Sequence, residues 1–70
     1  MELKDLIKVL DNDTVICVCD DLGPHTDVAP LKNISIKSLI YDLNRKVDRV
    51  YFDASDSSIV IELEDEPCID

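Results

Sequence analysis

The sequence predicts a small α+β fold: an antiparallel sheet of three or four strands with two helices on one face, in the order α-β-(β)-α-β-β. Three observations carry that expectation. Leu3, Leu6, Ile7 and Leu10 recur at the i, i+3, i+4, i+7 spacing of one helix face, and Ile36, Leu39, Ile40 and Leu43 repeat it. Residues 14–19 are a β-branched apolar run, and residues 47–53 and 59–63 are two further strand-like segments divided by a polar turn. Length sets the scale, because 70 residues make one domain, 1–70, with room for a single modest core.

Each element has a local justification. In residues 2–10 the apolar stripe faces one way while Lys4 and Lys8 occupy another face, and Asp11-Asn12-Asp13 supplies a polar stop. The run Thr-Val-Ile-Cys-Val-Cys at 14–19 is apolar on both faces, which suits a strand covered on each side or buried centrally. Asp20-Asp21-Leu22-Gly23-Pro24 then turns the chain. Val28 and Leu31 are candidates for a short second strand, which Pro30 confines to an edge or terminates, since it has no N–H to donate. Ser35 is placed as an N-cap, with Ile34 and Leu39 as a hydrophobic staple, so a second helix is expected over 36–44. Asn44, Arg45 and Lys46 close it with positive charge at the negative end of the helix dipole. In the last strand Ile59, Ile61 and Leu63 share a face expected to be buried, and Val60, Glu62 and Glu64 share one expected to be wet. Residues 65–70 read as a frayed acidic tail.

Composition narrows the function classes. Sixteen acids against seven bases give a net charge of −9, and 46% apolar residues set the chain apart from disordered acidic linkers. No apolar stretch approaches the ~20 residues of a membrane span, and the charged start Met1-Glu2-Leu3-Lys4-Asp5 does not read as a signal peptide, so a cytoplasmic location and no membrane partner are expected. The three cysteines, Cys17, Cys19 and Cys68, are odd in number. Cys17 and Cys19 would lie on one strand face roughly 6.6 Å apart with parallel Cβ directions, which suits small reduced hydrophobes better than a disulfide. Together with His25 the cysteines make a formal zinc set, but without a C-x-x-C knuckle no metal and no cofactor are expected. Asp11 and Asp13, or Asp20, Asp21 and Asp27, could attract calcium incidentally, but no twelve-residue EF-hand loop is present. His25 is the only histidine and Gly23 the only glycine, so there is neither a glycine-rich phosphate loop nor a nucleophile–base pair with its orienting group, and a non-enzyme is expected.

The charge is segregated along the chain. Residues 1–31 carry a net −5, residues 32–49 a net +3 and residues 50–70 a net −7. Glu62, Glu64 and Glu66 alternate along the last strand and would form a row with a spacing of roughly 6.6 Å, comparable to that of successive phosphates, which Asp53 and Asp56 at the neighbouring turn could extend. These five residues are the candidate partner-binding site, and the fitting partner is a protein with a basic groove. An acidic surface can equally serve solubility alone. Lys32, Lys37, Arg45, Lys46 and Arg49 are explained by dipole compensation and surface pairing with Asp42 and Asp48; with only Tyr41 among them for stacking, direct nucleic-acid binding is not expected. The alternative is a structural or regulatory module that forms a homodimer or assembles through an apolar sheet edge.

Lys4-Asp5-Leu6-Ile7-Lys8-Val9-Leu10, then Asp13-Thr14-Val15-Ile16-Cys17-Val18, and later Val47–Asp53 and Ile59-Val60-Ile61-Glu62-Leu63, carry a resemblance. The chain resembles small uncharacterised proteins of Firmicute prophages and other mobile elements, most firmly over residues 2–20. The resemblance implies a context, the cytoplasm of a bacterial host cell, and no active site. Accessory phage proteins of this size and acidity include inhibitors of host defence nucleases, anti-CRISPR proteins among them.

Overall fold

The computed structural model describes residues 1–64, so the expected frayed tail, with Glu66 and Cys68, lies outside the described residues. Helix α1 (Leu3–Val9) leads into β1 (Val15–Asp20) and two short strands, β2 (Gly23–Pro24) and β3 (Ala29–Pro30). A 3₁₀ turn (Leu31–Asn33), helix α2 (Ile36–Leu39) and the hairpin of β4 (Val47–Asp53) and β5 (Ser58–Leu63) follow. The α+β class and the two helices match the expectation. The sheet differs, with five strands in the order β2-β1-β5-β4 and β3 also pairing β1.

The sheet is mixed rather than antiparallel. β1 runs parallel to β5, with Ile16 opposite Ile59 and Val18 opposite Ile61, while β2, β3 and β4 pair antiparallel to their neighbours. The reason lies in the composition of the hairpin arms. Ser58-Ile-Val-Ile-Glu-Leu63 is the more apolar arm and takes the interior place beside β1; β4, with Asp48, Arg49 and Asp53, takes the edge. The expected short strand between Val28 and Leu31 is present as β3, which ends at Pro30, and a further two-residue strand, β2, forms at Gly23–Pro24 where only a turn was expected. Val28 is exposed, and Leu31 opens the 3₁₀ turn and packs on the core. Pro24 and Pro30 both stand in these outer strands, where the missing N–H costs no ladder bond.

Register decides which face each side chain takes. Ile16, Val18, Ile61 and Leu63 are buried with Leu3 and Leu39, and Leu6, Ile7, Leu10, Leu31, Ile34, Leu43, Val47 and Ile59 pack around them, so both helices cover one face of the sheet. The opposite face carries Cys17, Cys19, Val60, Glu62, Arg49 and Tyr51. Val60, expected on the wet side, is nonetheless buried, because Cys17 and Tyr51 flank it on the neighbouring strands.

The second helix is shorter than the expected 36–44. Ser35 Oγ accepts from the Lys37 N–H as an N-cap, but regular helix ends at Leu39 and the chain continues in turns, with Asp42 N–H donating to Leu39 O and Arg45 N–H to Asp42 O. The predicted stripe is therefore divided: Leu39 is buried, Leu43 packs on the core, and Ile40 is 58% exposed. The turns dock onto α1. The Leu3 and Lys4 N–H groups, which a helix start leaves without intrahelical partners, donate to the carbonyls of Arg45 and Leu43 at 2.9 and 3.0 Å. That contact holds the segment carrying Asp42 and Arg45 against the base of the sheet.

Candidate functional site

Of the five acids expected to form one surface, Glu66 lies outside the described residues, and the other four, Asp53, Asp56, Glu62 and Glu64, are not gathered in one place. Asp53 pairs with Ser58 at the tip of the hairpin, whereas Glu62 pairs with Arg49 near its base. Four residues along β5 separate these positions, about 13 Å at the usual strand rise. Between them the same face presents Val60 and Tyr51, so the row is interrupted by apolar surface. Asp56 is exposed in the turn and Glu64 is exposed just beyond β5. Asp53 Oδ1 accepts from the Ser55 N–H at 2.9 Å and the Ser55 hydroxyl at 2.6 Å, bonds that hold its carboxyl below the ordinary 3.8. Glu62 Oε2 accepts from Arg49 Nε at 2.7 Å and Nη2 at 2.6 Å; these bonds likewise lower its pKa, and Arg49 offsets its charge. A different acidic grouping forms at the base, where Asp20, Asp21, Asp48 and Glu62 line a cleft of about 150 Å³ with Leu63.

A second cluster, absent from the sequence reading, ties the fold together beside that cleft. His25 Nε2 lies 2.8 Å from Asp20 Oδ2 and His25 Nδ1 2.9 Å from Asp42 Oδ2. Arg45 Nη1 donates to Asp20 Oδ2 at 2.9 Å and to Asp42 Oδ1 at 3.2 Å, while its Nη2 donates to the Glu64 carbonyl at 2.6 Å. The Asp20, Asp42 and Arg45 side chains are 6%, 8% and 11% exposed, so this is a buried network joining the end of β1, the β2 loop, the turn after α2 and the end of β5. A neutral imidazole has one N–H, and both of its nitrogens can donate only as the imidazolium. Two carboxylates at hydrogen-bonding distance therefore call for a charged His25, which makes the network two anions and two cations. The Asp42 hydrogen bond, opposed by burial and reinforced by the charges of Asp42 and Asp20, raises His25 above its ordinary 6.5. The Arg45 hydrogen bond holds Asp20 below 3.8.

A pH dependence follows. With the His25 pKa raised on folding, its contribution is complete below the unfolded value of 6.5 and is lost as pH climbs through the folded value. The Asp20 contribution is complete above 3.8 and is lost as pH falls through its lowered value. The Cys17 and Cys19 thiols are pushed above 9.0, chiefly by burial, and stay out of this window. The urea midpoint is expected to be higher at about pH 5.5 than at about pH 8, and the difference should vanish in the His25→Asn chain. An equal decline in both chains would remove the imidazolium from the network. The sequence supports only general surface pairing of the basic segment with Asp42 and Asp48, and the i, i+3 spacing of Asp42 and Arg45 is the one local sign of this contact. Asp20 and His25 join it from 25 and 17 residues away, which no local spacing announces.

The third feature is the outer edge of β4. β4 pairs with β5 on one side, and on the other the Val47 N–H donates to Met1 O at 2.8 Å beside the Glu2–Lys46 bridge. A register shift between Val47 and Arg49 places a bulge at Asp48. Beyond it the edge from Arg49 to Asp53 has no strand partner among the described residues, and Val50, Tyr51 and Phe52 are 45%, 43% and 65% exposed. By register Val50 and Phe52 lie on the helix-covered face and Tyr51 on the opposite one, so apolar surface is presented on both sides of one strand. Arg49 lies over the Tyr51 ring at 5.4 Å from its centroid.

No helix among the described residues is long and apolar enough to cross a membrane. Compared with protein-family models, curated proteins and solved structures, the chain matches none.

Proposed function

We propose that the chain is a non-catalytic protein-binding module that takes its partner by strand addition along the outer edge of β4. The observation that carries this reading is the run Arg49–Asp53, which has no strand partner among the described residues and exposes three large apolar side chains at its centre. Edge strands are ordinarily guarded by charge, proline or a bulge, because their free N–H and C=O groups template further pairing. Here the bulge and the charges stand at the ends, and the middle is left open and apolar, as strand-addition surfaces are. Contact rather than catalysis is further supported by His25, whose two nitrogens both face carboxylates and offer no free lone pair to act as a base.

A second reading is an inhibitor, of the kind mobile elements carry, that covers the basic groove of a host nucleic-acid-handling protein such as a defence nuclease. It is favoured by the acidic cleft of Asp20, Asp21, Asp48 and Glu62, with Glu64 exposed just past it. One experiment separates the two. A photo-crosslinking benzoylphenylalanine is introduced in place of Phe52 or, in a second chain, of Glu64, and both are irradiated in bacterial cells. A discrete protein adduct from position 52 and none from position 64 is the expected result. Adducts from position 64 alone, in a complex that dissociates steeply with salt, would replace the edge reading with the inhibitor one.

A further inference from the structure

Resting on the edge reading, the geometry points to a second copy of this chain as the occupant of β4: two β4 strands pair antiparallel about a two-fold axis through Tyr51. The free edge is short and sharply bounded. Met1 and Glu2 cover the strand at Lys46–Val47, the bulge at Asp48 interrupts its regular pairing, and the turn begins at Ala54. What remains is Arg49-Val50-Tyr51-Phe52-Asp53, with opposite charges at its ends and Tyr51 at its centre.

Symmetry then restricts the register. Antiparallel strands related by a two-fold axis normal to the sheet place one residue on the axis, with its neighbours paired outward from there. An axis through Val50 would set Asp48 against Phe52 and Arg49 against Tyr51. An axis through Phe52 would set Asp53 against Tyr51 and leave both charges unpaired. An axis through Tyr51 sets Arg49 opposite Asp53 twice, on the face they share, and Val50 opposite Phe52 twice, on the other face. This register alone pairs every charge of the free edge with its opposite and every apolar side chain with another, and it uses all five free residues. Arg49 is already held on its face by Glu62 and the Tyr51 ring, so its guanidinium loses little freedom on association. The result is a continuous sheet across the two copies, with the helices of both on one side.

The charge pattern supplies its own test. Sedimentation equilibrium of the wild-type chain across a concentration series is expected to show a monomer–dimer equilibrium. In the Arg49→Asp chain the register opposes two carboxylates twice, and in the Asp53→Arg chain two guanidinium groups twice, so each alone should need at least about tenfold more protein to dimerise. An equimolar mixture of the two restores opposite charges at both contacts and should dimerise at close to the wild-type concentration. Each variant is checked for folding by circular dichroism, and the mixture is itself the control, because unfolded chains would not recover pairing on mixing. A wild-type chain that stays monomeric at millimolar concentration, or variants that dimerise unchanged and gain nothing on mixing, would overturn the second copy as occupant. In that event a crosslink from position 52 to a different protein would leave the edge reading standing, and no adduct from that position would remove both.

Discussion

Replacement of Arg45 by methionine is expected to destabilise the chain by about 3–5 kcal/mol near neutral pH, the cost of leaving buried charges without their partner. For a domain of this length, total stability is of the order of 3–10 kcal/mol, so from about a third to all of it would be lost. The Arg45 guanidinium donates to Asp20, Asp42 and the Glu64 carbonyl, and all three of the side chains involved are nearly inaccessible to water. Methionine fills the space of the aliphatic stem but leaves two buried carboxylates with only the His25 imidazolium between them. Coupling distinguishes this from a packing effect: in an Asp42→Asn background, where one of those carboxylates is already gone, the same substitution should cost distinctly less. Urea unfolding of the four chains measures it. A loss under about 1 kcal/mol, additive with Asp42→Asn, is what a solvated surface pair would give instead.

Ile61→Ala should cost about 2–5 kcal/mol, the range for removing a branched side chain from a packed interior. Ile61 is fully buried at the centre of β5, opposite Val18 on one side and Val50 on the other. The informative control is Ile40→Ala. Ile40 belongs to the same kind of apolar stripe in the sequence, but it is 58% exposed where α2 has given way to turns, and its truncation should stay within about 0.5 kcal/mol. Thermal or urea unfolding of the two variants checks the contrast. Comparable losses at both positions would mean that the helical stripe continues past Leu39 and packs as the spacing alone predicts.

That contrast marks how far local patterning reaches in this protein. The stripe from Leu3 to Leu10, the apolar run of β1 and the alternation of Ile59, Ile61 and Leu63 were all legible, since a helix or strand repeat is a property of neighbours along the chain. The hairpin was legible for the same reason, with a polar turn between two runs of strand formers. The same local alternation puts Glu62 and Glu64 on one face. It could not show that Asp53 pairs at the far end of β5, or that Arg49 lies across the strand from Glu62 and offsets its charge. Local sequence supports surface pairing of Asp42 with the basic segment, but not a buried pair with Arg45 in particular. Its burial depends on the docking of the 42–45 turns onto the start of α1.

Sequence by itself determined α1, β1, the β4–β5 hairpin and the acidic balance of the whole, because periodicity and composition act over a few residues at a time. Tertiary structure decided that β5 lies parallel to β1, that Asp20, His25, Asp42 and Arg45 converge on one buried network, and that Arg49–Asp53 is an apolar edge with no strand partner among the described residues. Those outcomes depend on which segments compete successfully for the interior. β5 wins its place beside β1 because it buries more apolar surface than β4, and the buried charges are tolerated only because four of them, distant in the chain, neutralise one another in the same place.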